Sequence, residues 1–412
     1  MSDQVPDGLP RPPRRVPPGA DSGIPRTVIE ARQAAVRVAR PPRAWYLVPL
    51  TIAVIAAGAG AGWAVRERGD LFGPGPGTGT TTGSLDLKAI RRQAGPAVVR
   101  VHASTCSGTG LATGLLIGDD RVLTVMPAVR GSVGAAIETA DGRVRPATVG
   151  VDPATGLAVL SLSGDPLGVE PLQVASGTPS DGLDVAVIGF DGATQTADPH
   201  AIVQPSPGAD LNGVTGLLPA SVAGSAVLDR SGRLIGIVTS AGAAGARAVG
   251  LSVLREYAAN ARTTDVDKPS CREAKGPQTP VVPRLDGPTG ALAEEVQELL
   301  GTFLTAVNRH DGQAVLDATT GRLADRSPRE YEEQYRNEAN FGAVIRSVQQ
   351  DGDGAQAVMT FTVLQAPRKD IPYRCLRYAV RYFLVRDNGE LRVEWVTTAR
   401  STEQSWLPCG SD

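Results

Sequence analysis

Hydrolysis by acyl transfer needs a hydroxyl or thiol attacker, an imidazole to take its proton and a carboxylate to orient the ring. This chain has three histidines and four cysteines to draw on. His102 falls on or near a β-branched run, His200 in a Pro-flanked loop and His310 at the end of a helical stretch in a different domain. Ser225, preceded by Gly224, has the local setting of a nucleophile on a tight turn, as a rewired site would use. A lone Ser in a Gly/Ala turn is ordinarily just a turn residue. Among Cys106, Cys271, Cys375 and Cys409 no pair has the close spacing of a metal site, so neither metal nor cofactor is expected. An even count fits two disulfides in an oxidising compartment. Three pairings are open, and Cys375–Cys409 with Cys106–Cys271 is favoured because the first two share the last domain.

The elements that would position these residues are set out along 412 residues, enough for two or three domains. Formal charge is −2, with 41 basic against 43 acidic residues, so no nucleic-acid partner is indicated. Residues 1–43 are rich in Pro and Arg without apolar periodicity and read as a disordered segment. Ala44–Val65 carries no charge, and as a helix it would reach about 33 Å, enough to cross a bilayer core of about 30 Å. Trp45, Tyr46 and Trp63 fall at its ends, where amphipathic rings prefer the interface. Eight arginines precede the span against Arg66 and Arg68 just after it, which puts the N-terminus in the cytoplasm and the remainder outside. Gly58 and Gly62 have the GxxxG spacing that lets two such helices pack, an opening for a homodimer. Residues 66–84 read as a flexible linker.

Residues 85–262 alternate short β-branched runs with Gly, Asp and Pro, the pattern of an all-β barrel or sandwich. Strands are expected at Ala97–Val101, Gly114–Ile117, Arg121–Val125, Val144–Val151, Leu157–Leu162, Asp184–Gly189 and Arg233–Ser240. Asp229-Arg230-Ser231-Gly232 makes a hairpin turn before the last of these. The order and spacing of Thr113-Gly114-Leu115-Leu116-Ile117, Arg121-Val122-Leu123-Thr124, Val149-Gly150-Val151-Asp152, Leu157-Ala158-Val159-Leu160 and Gly232-Arg233-Leu234-Ile235-Gly236-Ile237 resemble the HtrA-type trypsin-like serine proteases. That resemblance implies two six-stranded β-barrels.

It also locates the catalytic positions. The base should follow Leu123-Thr124-Val125-Met126, where Pro127 stands; the carboxylate should precede Leu157, where Gly156 stands. The nucleophile position falls on Ala223, and the Gly of the oxyanion loop is Ser221. Without those three groups the expectation is a trypsin-like homologue that is not an enzyme. It would act as a binding or scaffold module that grips an extended peptide or protein by strand addition. Two alternatives stand beside it. One is an active serine endopeptidase rearranged around Ser225; the other is a small-ligand sensor built on the C-terminal domain.

Residues 263–290 are rich in Pro, Thr and charge and read as a linker. In residues 291–412 a helical period runs through Leu292, Val296, Leu299, Leu300, Phe303, Leu304 and Val307, and a second helix is expected at Pro328–Asn337. Strands follow at Ala343–Gln349, Gln356–Leu364, Tyr373–Arg386 and Leu391–Ala399, with Asp387-Asn388-Gly389 as a hairpin turn. Helices followed by an antiparallel sheet, with Asn308-Arg309-His310-Asp311 at the first helix end, resemble the nuclear-transport-factor-2-like α+β cone. His310 could line a pocket, but a capping role is the simpler expectation.

Overall fold

The computed structural model describes residues 85–410, apart from 109, 193, 204–210, 216–222, 243–244, 270–272 and 402–403. The expected cytoplasmic segment, membrane span and first linker therefore lie outside the described residues, as do Ser221 and Cys271. Among the described residues no helix is long and apolar enough to cross a membrane.

Helix α1 (Leu87–Ala94) begins where the Asp86 carboxylate accepts the Ala89 N–H at 2.8 Å. Six strands follow: β1 (Val98–Ser104), β2 (Leu111–Gly118), β3 (Arg121–Val125), β4 (Gly134–Glu138), β5 (Val144–Asp152) and β6 (Leu157–Leu162). They pair in the order β5-β4-β1-β2-β3-β6, and a further β5–β6 pairing closes the barrel. Between β3 and β4 sits the short helix α2 (Met126–Val129). A second closed barrel is made of β7 (Asp184–Asp191), β8 (Thr194–Val203), β9 (Leu211–Val214), β10 (Ala226–Leu228), β11 (Leu234–Gly242) and β12 (Gly245–Val249). Alternation fills each interior: Val99, Val101 and Ala103 of β1 join Leu115, Leu123, Ile137 and Leu160 in one buried core. Helix α3 (Leu251–Ala258) returns from the second barrel to the first, where the Arg121 guanidinium donates to the Tyr257 carbonyl at 3.2 Å.

The trypsin-like double barrel thus stands as expected, and each expected strand is present. β4, β8, β9 and β12 were not read from the sequence. They are short or rich in Ala, Gly and Thr, so alternation alone does not mark them.

Residues 263–290 are stitched into both neighbouring sheets. β13 (Asp265–Val266) pairs with β5, Thr105 and Lys275 form an antiparallel bridge, and β14 (Arg284–Leu285) lies parallel to β15 (Ala339–Asp351). Helix α4 (Ala291–Arg309) buries Val296, Leu300, Phe303, Leu304 and Val307, the face its periodicity predicts. His310 caps it in the left-handed region at φ 56. Three short helices follow: α5 (Gly312–Asp317), α6 (Gly321–Ala324) and α7 (Pro328–Gln334), the last held by a capping box between Ser327 and Glu330.

The sheet then runs β14-β15-β16-β17-β18, through β16 (Gly354–Leu364), β17 (Cys375–Asp387) and β18 (Glu390–Thr398), while β19 (Trp406–Pro408) also pairs with β17. Asn388 and Gly389 both have positive φ in the two-residue turn between β17 and β18, as Asn-Gly hairpins require. Trp395 is 47% exposed on β18, and Trp406 packs beside Tyr373.

Cys375 and Cys409 are bonded, closing a stretch of 34 residues. Cys106 is also disulfide-bonded. Loop closure of this length is worth about 4 kcal/mol. Replacing Cys375 and Cys409 together with Ala should lower the unfolding free energy by about that amount in guanidinium titrations. Peptide mapping without reductant should recover the Cys375–Cys409 pair, and free thiols at both positions would refute it.

Candidate functional site

The junction of the two barrels is organised by Thr113 of β2. Its N–H donates to the Ala223 carbonyl at 3.1 Å, and its own carbonyl accepts the Thr124 hydroxyl at 2.8 Å. Its Oγ1 accepts the Phe190 N–H at 2.9 Å, which ties β2 to β7. Thr113 and Thr124 are fully buried, so each bond spares a polar group from unpaired burial. Gly224 lies against the same residue at φ +90, where an added Cβ would come within 2.0 Å of the Thr113 carbonyl oxygen. Only glycine fits there.

These contacts gather the positions that the resemblance marks. Pro127 lies in α2 directly after β3, and the Met126 N–H donates to the Gly156 carbonyl at 2.9 Å. Gly156 turns the chain from β5 to β6 at φ +72. Ala223 joins them through Thr113 and Thr124. Positions 127, 156 and 223 therefore share one end of the barrel junction, and they hold a pyrrolidine ring, a hydrogen and a methyl group.

Ser225 has 0% exposure, and its Oγ faces Gly189 so closely that a Cβ there would lie 1.8 Å away. Its hydroxyl has no hydrogen-bond partner among the described residues, so no imidazole is in reach of it. His102 is buried against Glu138, with Nε2 3.0 Å from Oε2. His200 has Nδ1 2.6 Å from the Thr215 carbonyl, and His310 caps α4. Among the described residues no group of three or more His, Cys, Asp and Glu could hold a metal ion.

One functional neighbour of the site escaped the sequence reading. Asp152, four residues before Gly156, accepts the Arg262 guanidinium at 2.5 Å and the Tyr257 hydroxyl at 2.8 Å on Oδ2, and the Ala154 N–H at 2.9 Å on Oδ1. Burial alone would raise this carboxyl, but the bonds from Arg262, Tyr257 and the Ala154 backbone outweigh it and bring it down to about 2. Burial pushes Tyr257 up to about 12. The cluster pins α3 and the chain after it to the turn that carries Gly156. The aspartate in Val-Gly-Val-Asp was the available signal, but its partners lie more than a hundred residues on.

A second feature bears on binding. Gly224 and Ser225 bond to Val238 of β11, and Ala226–Leu228 pair with its earlier residues. Beyond Val238, at Thr239–Ala241, β11 pairs with β12 on one side only. Among the described residues no strand covers its other edge beside Ala223 and Gly224.

Residues 112–237 match the family model described as a trypsin-like peptidase domain. No curated protein matches the chain. Among solved structures, the active form of the Rv3671c protease from M. tuberculosis is 22% identical, covering 49% of this chain and 100% of that one, with a TM-score of 0.40. The serine endoprotease from Yersinia pestis is 21% identical over 42% of this chain and 65% of its own length, with a TM-score of 0.39. The HtrA-type protease AlgW with tripeptide is 22% identical over 42% of this chain and 62% of that one, with a TM-score of 0.37.

The family match corrects the expectation that the chain is not an enzyme. The matched stretch contains positions 127, 156 and 223, and the family it matches is one of peptidases, which speaks for hydrolysis rather than against it.

Asp152 supplies a test of how the site is held. A carboxyl whose folded value is depressed stabilises the fold above its ordinary value, and that stability is lost as pH falls through the folded value. Asp152→Asn should cost about 2 kcal/mol at pH 7. It should also flatten the loss of stability between pH 4 and pH 2, read by urea denaturation across that range. An unchanged acid limb would show that Asp152 is not the group responsible. The fold is a trypsin-like double β-barrel, and residues 112–237 of it match the trypsin-like peptidase domain model.

Proposed function

We propose that the chain is a membrane-tethered, extracytoplasmic trypsin-fold protein whose barrel junction holds an extended peptide or protein segment by strand addition. The observation that carries this reading is the edge of β11 at Thr239–Ala241, next to Ala223 and Gly224, which no strand among the described residues covers. A strand edge offers a row of N–H and C=O groups that pair with any extended chain, while neighbouring pockets choose its side chains. The tether is supported by the uncharged run Ala44–Val65 and the arginine excess before it.

A random decapeptide library passed over the purified full chain in detergent tests the binding. Retained peptides should slow hydrogen exchange at the Thr239–Ala241 amides at least tenfold. Retention that leaves those amides unchanged would sink strand addition. Mass spectrometry of the same retained pool reads whether held peptides are also cut.

Topology is read separately. Protease added to intact cells with the wall opened should digest the chain beyond Arg66 and spare residues 1–43. Protection of the large C-terminal part would overturn the orientation.

A further inference from the structure

The outer face of the first barrel is composed for water, yet it is kept out of water. Along β1, Val99, Val101 and Ala103 point into the barrel, and Arg100, His102 and Ser104 alternate with them on the outside. On neighbouring β4 they face Glu138, Ala136 and Gly134. In the structure the C-terminal domain covers this row. The Phe341 ring of β15 stacks on the His102 imidazole with centroids 3.8 Å apart and planes 14° apart. Ala136 and Val144 share a buried contact with Ala339, Phe341, Leu364 and the Cys375–Cys409 pair. The Arg374 guanidinium donates to the Val133 carbonyl. Beneath the cover, His102 Nε2 is 3.0 Å from Glu138 Oε2 and Arg100 Nη2 is 2.6 Å from Glu138 Oε1. The Ser104 hydroxyl is fully buried with no partner among the described residues. Closing the contact therefore strips water from a carboxylate, an imidazole and a hydroxyl, which is costly unless every group is paired.

We propose that this contact is an acid-releasable latch, in which a proton taken up by His102 or Glu138 frees the C-terminal domain from the first barrel while both remain folded. Burial holds the His102 imidazole below its ordinary value, and the nearby Arg100 guanidinium pushes the same way against Glu138. Burial alone would raise Glu138, but the hydrogen bond from His102 and the guanidinium of Arg100 outweigh it and keep its carboxyl below the usual range. From β15 the cluster meets the Phe341 ring on His102 and Gly342 beside the Glu138 carboxylate. From other elements, the Arg374 guanidinium donates to the Val133 carbonyl, Lys275 bridges to Thr105, and Asp267 accepts the Gly131 N–H. Both depressed groups act in one direction. The closed form is fully favoured above about pH 6.5, loses ground through His102 as pH falls, and loses more through Glu138 below about pH 4.5.

The amides that tie the first barrel to the segment leading into the C-terminal domain give the readout. Thr105 N–H donates to the Lys275 carbonyl at 3.0 Å, and Lys275 N–H returns to the Thr105 carbonyl at 2.8 Å. Hydrogen exchange of the full chain in detergent, corrected for intrinsic rates, should show their protection falling about tenfold from pH 7.5 to pH 5.5. The β1–β2 amides, which report the barrel itself, should stay protected. His102→Gln keeps a hydrogen-bond donor for Glu138 but gains no proton, so its protection should be level across the same range. Equal protection of the parent at both pH values, or a parent-like fall in His102→Gln, overturns the latch. Should that variant not fold, the His102 ring is titrated by NMR in the parent. A ring that titrates without any loss of protection at Thr105 and Lys275 also overturns it.

Discussion

The architecture turns on one buried threonine. Thr113 uses its N–H, its carbonyl and its hydroxyl at once, on Ala223, Thr124 and Phe190. Each bond is ordinary in strength, about 1 kcal/mol net, but leaving any of the buried partners unmade would cost more than making it returns. The two barrels share a hydrophobic core, yet a core is indifferent to small slides and rotations. Directional bonds at Thr113, with Gly224 admitted against its carbonyl, fix where the end of β3 lies relative to the start of β10. The edge of β11 at Thr239–Ala241 owes its position to the same arrangement, since Gly224 and Ser225 are bonded to Val238.

Much of the double barrel was legible because its inner strands are β-branched and bounded by turn residues. Arg121–Val125 and Leu157–Leu162 read as strands and are strands, and Asp229-Arg230-Ser231-Gly232 turns where its composition says. The order of short motifs, rather than any one of them, marked positions 127, 156 and 223, which hydrogen bonds through Met126, Thr113 and Thr124 bring near one another. What was not legible lies in contacts between distant segments. Gly134–Glu138 and Gly245–Val249 are strands because neighbours on both sides need partners, not because their own residues insist on it. The stretch 263–290 looks like a linker by composition and still contributes two paired strands, each only two residues long.

Asp152 and Glu138 show two solutions to one problem, a carboxylate out of water. Asp152 collects donors from its own turn and from Tyr257 and Arg262, so its charge is fully answered where it stands. Glu138 relies on two groups of a single strand, Arg100 and His102, and one of them can change its charge near neutral pH. The first arrangement is rigid. The second depends on what covers it.

The polar row on β1 has a further consequence for how the protein is made. Phe341 lies about 90 residues after the last strand of the second barrel, and at roughly 5–20 residues per second a growing chain needs at least several seconds to reach it. Throughout that interval the first barrel can be complete while its cover does not yet exist. An apolar outer face would then be an invitation to bind other nascent chains or to seal against the wrong surface. Arg100, His102, Ser104 and Glu138 keep that waiting face wet, and the finished protein inherits the last three as buried groups and Arg100 as a half-buried one.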